Sequence, residues 1–147
     1  MVSQKLNVSP LMTDLSKYIA GAAKRRVPAA VVEKTKHHVL DTVAAMISGS
    51  RLKPGEMAIK FARSQGGKRE ATVIGTKLVA SAINASLANG MLAHADETDD
   101  SHQRGRLHPG CATIPAALSV AERQGRDGAT FLKAVTAGYD LGVRVNL

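Results

Sequence analysis

Apolar residues recur along most of the chain at intervals of three and four positions, the spacing that places side chains on one face of an α-helix. Start and stop signals divide this pattern: Ser9-Pro10 has the form of an N-cap followed by proline, Gly49 and Gly125 occupy C-cap positions, and Asp127 caps the last segment. The pattern predicts six helices, over residues 9–26, 28–48, from the turn at 53–55 to 66–67, 79–95, 112–124 and 127–147.

Two segments depart from the helical pattern. Glu70 to Gly75 is rich in β-branched residues, which predicts a short extended piece. Residues 96–110 are polar and end in a Pro-Gly turn, which predicts a loop of about fifteen residues, a length that is often functional. The expected fold class is therefore all-α, a multi-helix bundle. Its fourth helix should approach its neighbours closely through a face of mostly small residues: Val79, Ala82, Ile83, Ser86, Leu87, Gly90 and Met91.

Composition narrows the class of protein. The 147 residues, 44% of them apolar, suffice for one domain with a buried core, and the absence of Trp disfavours a β-sandwich. No apolar run reaches the roughly 18 residues of a membrane span, and the polar start Met1–Pro10 has no signal-peptide core. The single cysteine, Cys111, allows no internal disulfide and cannot alone hold an iron–sulfur cluster. These features predict a soluble, cytoplasmic protein without a membrane partner.

The net charge of +8 is unevenly distributed. Residues 1–80 hold 14 basic and 5 acidic side chains, whereas residues 81–147 hold 6 and 7. The basic residues are scattered, with Lys24-Arg25-Arg26 as the one run of three, and they lack the regular interleaving with aromatic residues that base stacking requires. The prediction is that the protein binds no nucleic acid.

The candidate chemistry is concentrated between His94 and His108, where three of the five histidines and four of the twelve acids lie. Closely spaced carboxylates and imidazoles are the side chains that general acid–base catalysis commonly uses, because their neighbours shift their pKa values. Two other interpretations stay open: a solvated acidic loop, or a metal site using pairs such as His94-x-Asp96 and Asp100-x-His102, although this spacing matches no strong zinc or calcium pattern. His37 and His38 are interpreted as structural, because adjacent residues on a helix point about 100° apart and cannot easily share a ligand. Cys111 is interpreted as structural because it has no recognisable partner motif.

The order of several motifs resembles the MmgE/PrpD family over residues 12–147. The matching runs include Val27-Pro28-Ala29, Leu40-Asp41-Thr42-Val43, Glu70-Ala71-Thr72-Val73-Ile74-Gly75-Thr76, Ala88-Asn89-Gly90-Met91-Leu92-Ala93-His94, Asp99-Asp100-Ser101-His102, His108-Pro109-Gly110 and Gly138-Tyr139-Asp140-Leu141-Gly142. The resemblance implies proton chemistry beside the carboxylates of small di- or tricarboxylic acids, as in 2-methylcitrate dehydratase, cis-aconitate decarboxylase and iminodisuccinate epimerase. It implies no cofactor, no obligatory metal and dimerisation through the helical domain.

The resemblance also implies site residues. The family pattern His-Ala-Leu-Asp-Phe-Asp-Asp-Thr-His aligns with residues 94–102, so that the active-site carboxylate falls on Glu97 and the hydroxyl on Ser101. Asp96 and Thr98 replace apolar residues of that pattern, which predicts a more polar pocket. The family's active-site histidine before proline falls on His108. The expected site is therefore Glu97, Ser101 and His108, positioned by Asp99, Asp100 and His102.

The last predicted helix reaches Leu147 without a stop signal, so we expect the chain to be the front portion of a longer protein. By resemblance, residues 1–147 are a partial N-terminal helical domain that lacks the lid domain and the C-terminal helices. The working hypothesis is the N-terminal segment of a lyase- or isomerase-type enzyme that acts on a small carboxylic acid as a homodimer. The alternative hypothesis is a non-catalytic helical assembly module. The acidic loop is expected to hold no tightly bound catalytic metal ion.

Overall fold

A computed structural model describes residues 8–22 and 24–147, so most of the polar stretch Met1–Pro10 lies outside the described residues. Within the described part the chain forms six helices and one two-stranded antiparallel sheet, which confirms the all-α prediction. The elements in chain order are α1 (Pro10–Ala22), α2 (Ala29–Gly49), α3 (Lys53–Ser64), β1 (Ala71–Thr72), β2 (Val79–Ala80), α4 (Ala82–Ala93), α5 (Pro109–Gln124) and α6 (Gly128–Val145).

Helix α4 lies at the centre of the fold and packs against α2, α3 and α5, while α6 packs against α5 and α2. Its buried side carries Ala85, Ala88 and Leu92, which join the core with large side chains from neighbouring elements such as Met46 and Ile114. Helices α2 and α4 touch through their backbones. A Cβ at Gly49 would lie 1.9 Å from the carbonyl oxygen of Leu92, so only glycine permits this approach.

The prediction of which face of α4 packs against its neighbours was wrong for the large side chains. Ile83 is 79% exposed, and Leu87 and Met91 are about half exposed, whereas the alanines on the opposite side are buried. The helix is apolar around most of its circumference, and the tight contact with α2 admits only the small residues and Leu92. The larger side chains therefore lie on the outside.

Three predicted boundaries also differ. Helix α1 ends at Ala22 rather than near residue 26, and Val27 is disfavoured in a helical conformation because it precedes Pro28. Helix α4 begins at Ala82 rather than Val79, because residues 79–80 pair with 71–72 and Ser81 caps the helix. Helix α5 begins earlier than predicted, with its proline in the first turn.

Side chains fix the small sheet and the last helix. The amide of the buried Asn89 accepts from the backbone N–H of Ile74 at 2.9 Å and donates to the carbonyl of Thr72 at 2.9 Å, which holds the extended segment on α4. Asp127 Oδ1 accepts the N–H of Thr130 at 2.8 Å, which confirms the predicted N-cap of α6. None of the helices in the described ranges is both long and apolar enough to cross a membrane.

Candidate active site

The connection between α4 and α5 folds back on itself and carries most of the candidate residues. His102 donates its backbone N–H to the carbonyl of Leu107 at 2.8 Å, and its Nδ1 accepts the N–H of Gly105 at 3.0 Å. Nearer α4, Asp96 accepts hydrogen bonds from Thr98 and from Ser48 on α2. These contacts fix a compact loop whose two ends bring His94 and His108 together.

Asp99 is the centre of the first cluster. Its side chain is fully buried, and its Oδ1 lies 3.0 Å from Nδ1 of His94 and 3.4 Å from Nδ1 of His108. The two imidazoles meet edge to face with their centroids 4.8 Å apart, and each remains more than one third exposed. One carboxylate thus lies against two imidazoles that are both partly exposed to solvent.

Asp100 is the centre of a second cluster that joins three helices. Its Oδ1 accepts the N–H of Gly110 in the first turn of α5 at 2.9 Å, and its Oδ2 accepts the hydroxyl of Tyr139 on α6 at 2.7 Å. Nδ1 of His38 on α2 lies 3.3 Å from the same Oδ2. Burial and the neighbouring Asp100 carboxylate raise the pKa of Tyr139 far above its ordinary value, so the phenol remains a neutral donor.

Cys111 lies beside the first cluster, in the first turn of α5. Its thiol donates to the carbonyl of His108 at 3.2 Å. Burial, together with the Asp99 carboxylate, raises the pKa of the thiol to about 11. Because the thiolate is the nucleophilic form, this environment supports the interpretation that Cys111 is no activated nucleophile. Its sulfur, Asp99 and His94 nevertheless lie close enough to share a ligand, with donor atoms within 4.8 Å of one another.

The structure brings together half of the predicted site residues. Asp99 and His108 are in the first cluster and Asp100 is in the second. Glu97 and Ser101 are exposed, and neither side chain hydrogen-bonds to these clusters within the described residues. His102 supports the loop. Glu97 has φ of 57°, a left-handed conformation that is unusual outside glycine.

Two members of the second cluster were not among the predicted site residues. The sequence predicts a structural role for His38 and assigns no site role to Tyr139, which lies in a run that carries the family resemblance. Both residues lie far along the chain from Asp100. Their rings stack with centroids 4.9 Å apart. The adjacent acids Asp99 and Asp100 were the one local sequence signal for this cluster. They do not reveal which helices pack against them. His94 belonged to the candidate segment, but its contact with Asp99 could not be read from spacing.

Comparisons with known proteins agree with the sequence resemblance. The family model described as the MmgE/PrpD N-terminal domain matches residues 13–147. The cis-aconitate decarboxylase-like protein oryM of Aspergillus oryzae is 29% identical over 139 residues, which cover 90% of this chain and 29% of that protein. The cis-aconitate decarboxylase of Aspergillus terreus is 24% identical over 142 residues, covering 93% of this chain and 29% of its own length. The chain thus spans under a third of these relatives, and no solved structure matches it.

Proposed function

The chain belongs to the MmgE/PrpD family, and on that premise we propose that it is the N-terminal helical part of a lyase- or isomerase-type enzyme. The proposed substrates are small di- or tricarboxylic acids. The proposed chemistry is proton transfer at a carbon next to a carboxylate, as in dehydration, decarboxylation or epimerisation. The relatives named cis-aconitate decarboxylase support this substrate class.

The contact of His94 and His108 with one buried carboxylate is the observation that supports acid–base chemistry most directly. A carboxylate hydrogen-bonded to Nδ1 favours the tautomer with the proton on that nitrogen and orients the ring, as Asp99 does for His94. Nδ1 of His108 lies farther from the same carboxylate oxygen, at 3.4 Å. The opposite nitrogen, Nε2, is then free to accept or donate a proton. With two such imidazoles 4.8 Å apart, one is suited to remove a proton from substrate while the other supplies one.

The other residues receive proposed roles of two kinds. Asp100 positions the start of α5, and therefore His108, through its bond to Gly110. His102 positions the loop through its own hydrogen bonds. Glu97 and Ser101 are proposed to contact substrate, on the family pattern alone. The left-handed backbone conformation of Glu97 supports a functional role, because such conformations cost free energy and occur often at functional sites.

The proposed site needs positive charge, but residues 94–108, which form it, hold two arginines, Arg104 and Arg106. Four acids lie between residues 96 and 100, and they would repel a polycarboxylate. By resemblance, a further histidine and lysines follow beyond Leu147, together with a lid domain and more helices. We therefore propose that residues 1–147 are part of a larger helical domain in a cytoplasmic enzyme that uses neither cofactor nor catalytic metal and binds neither nucleic acid nor membrane.

Replacing the imidazole of His108 tests the proposed function. In a full-length version of the protein, His108→Ala should lower turnover by about 100-fold or more, because general acid–base catalysis contributes that much. The exposed His37 on α2 offers a matched control, and His37→Ala should leave turnover unchanged. Near-normal turnover in the His108 variant would contradict the assignment.

A non-catalytic helical module is the alternative, and the apolar surface is the observation that favours it. Ile83 is 79% exposed, Leu11 76% and Leu40 70%, so three of the helices offer apolar side chains for contact with another molecule. Assays of the isolated chain on cis-aconitate, 2-methylcitrate and iminodisuccinate distinguish the two functions. Appreciable turnover would exclude the module. The same surface supports the proposal of a homodimer.

A further inference from the structure

Three side chains from different parts of the sequence converge beside the proposed acid–base pair. His94 is the C-cap residue of α4, Asp99 lies in the folded loop, and Cys111 lies in the first turn of α5. One donor atom from each lies within 4.8 Å of the other two. From this arrangement we propose that His94, Asp99 and Cys111 form a reversible binding site for Zn²⁺ that regulates the enzyme by blocking its acid–base pair.

Unsatisfied buried atoms point to a ligand at this place. The Asp99 side chain is fully buried, yet its Oδ2 has no hydrogen-bond partner among the described residues. Nδ1 of His108 is likewise buried and without a hydrogen bond there, 3.4 Å from Asp99 Oδ1. Buried polar atoms are nearly always paired in folded proteins, and a carboxylate is the most costly of them to leave unpaired. A bound cation would satisfy this carboxylate.

The chemistry of the donors selects zinc over harder cations. An imidazole nitrogen, a thiolate and a carboxylate form a set typical of Zn²⁺, whereas Mg²⁺ and Ca²⁺ take oxygen ligands. Zinc–ligand bonds of about 2.0–2.3 Å place tetrahedral ligands roughly 3.3–3.7 Å apart. The His94 to Asp99 separation of 3.0 Å is close to that value, and all three donor atoms lie within 4.8 Å of one another, so small side-chain movements bring them to bonding distance of one ion. Coordination releases the thiol proton to solvent.

The proposed ion takes no part in the proposed reaction. Three protein ligands leave a fourth position, which water or the adjacent His108 would fill. The ion would bind Nδ1 of His94 and the Asp99 carboxylate. Because that carboxylate orients the imidazoles, bound Zn²⁺ would prevent the proposed proton transfer. This is compatible with metal-free catalysis, because the ion inhibits the pair instead of activating water.

Cobalt titration tests the site directly, because Co²⁺ replaces Zn²⁺ and reports its ligands by colour. The purified chain without a histidine tag should bind one equivalent of Co²⁺, with thiolate-to-cobalt charge-transfer absorption in the near ultraviolet, and Zn²⁺ should displace it. Cys111→Ser should abolish the charge-transfer absorption and weaken binding at least about 10-fold. His94→Gln should weaken binding similarly but keep the chain folded, as circular dichroism would verify.

The matched control is His37→Ala, which removes an exposed histidine that is not one of the three proposed ligands and should leave the spectrum unchanged. Absence of charge-transfer absorption in the wild-type chain, or its persistence in Cys111→Ser, would overturn the zinc site. The readout is independent of turnover. Failure of the zinc site therefore leaves the proposed function intact, whereas an active His108→Ala enzyme would remove that function without affecting the spectrum.

Discussion

The hydroxyl of Tyr139 on α6 should contribute measurably to the free energy of unfolding, because it binds the Asp100 carboxylate. It donates to Asp100 Oδ2, and the Asp100 side chain is only 12% exposed. Tyr139→Phe removes the hydroxyl and leaves the ring in place. Water has little access to the carboxylate, so Oδ2 keeps only the longer contact with His38, at 3.3 Å.

The size of the effect follows from the charge of the acceptor. Hydrogen bonds to charged groups contribute about 1.5–3 kcal/mol, and burial prevents water from replacing the lost donor. We expect Tyr139→Phe to lower the free energy of unfolding by about 2 kcal/mol. With a urea dependence of about 2 kcal/mol per molar, the midpoint of unfolding should fall by about 1 M while the slope stays unchanged.

Tyr18 provides the matched control, because its hydroxyl also donates to an aspartate, Asp140. That carboxylate is 33% exposed and also accepts a hydrogen bond from Arg144, so water and the guanidinium compensate for the lost hydroxyl. Tyr18→Phe should therefore cost less than about 1 kcal/mol. The comparison is made by urea unfolding of both variants in one buffer. Equal losses, or a larger loss in Tyr18→Phe, would refute the argument from burial.

Two further predictions concern pH and assembly. Hydrogen bonds from the hydroxyl and the N–H of Thr130 hold the pKa of Asp127 below its ordinary value. Its stabilising contribution is therefore present at neutral pH and is lost as the pH falls through the folded-state pKa. The stability difference between wild type and Asp127→Asn, measured by urea unfolding, should shrink toward acid pH, and a constant difference would contradict this. Light scattering at micromolar concentration should show a dimer that Val143→Glu disrupts, because an unpaired charge is costly to bury. A 15.4 kDa wild-type monomer would contradict the dimer.

Local signals predicted the helices well because capping is a local interaction. Asp127 caps α6 through the N–H three residues later, and Gly125 ends α5 in a left-handed conformation. Both are decided within one helical turn. The resemblance to a family rested on the order of several short sequence runs, and the family model confirms it.

Contacts between distant segments decided what the sequence could not predict. The start of α4 moved because Val79 and Ala80 pair with a strand earlier in the chain. The buried face of α4 could not be chosen from hydrophobicity, since apolar residues occur all around that helix. The close contact between Gly49 and the backbone of Leu92 determines which face of α4 is buried. That contact depends on how α2 crosses α4, which the sequence does not show.

The two adjacent acids illustrate how far the sequence predicts the candidate site. Their crowding predicted an unusual electrostatic environment, because neighbouring carboxylates repel each other unless each has its own donors. The structure supplies these donors from different directions: Asp99 contacts two imidazoles, whereas Asp100 contacts Tyr139 and a backbone N–H of α5. Repulsion is thereby offset separately at each carboxylate. Asp99 is therefore available for the proposed proton transfer or for a cation. Asp100 instead holds α5 and α6 together, and α5 positions His108 beside Asp99.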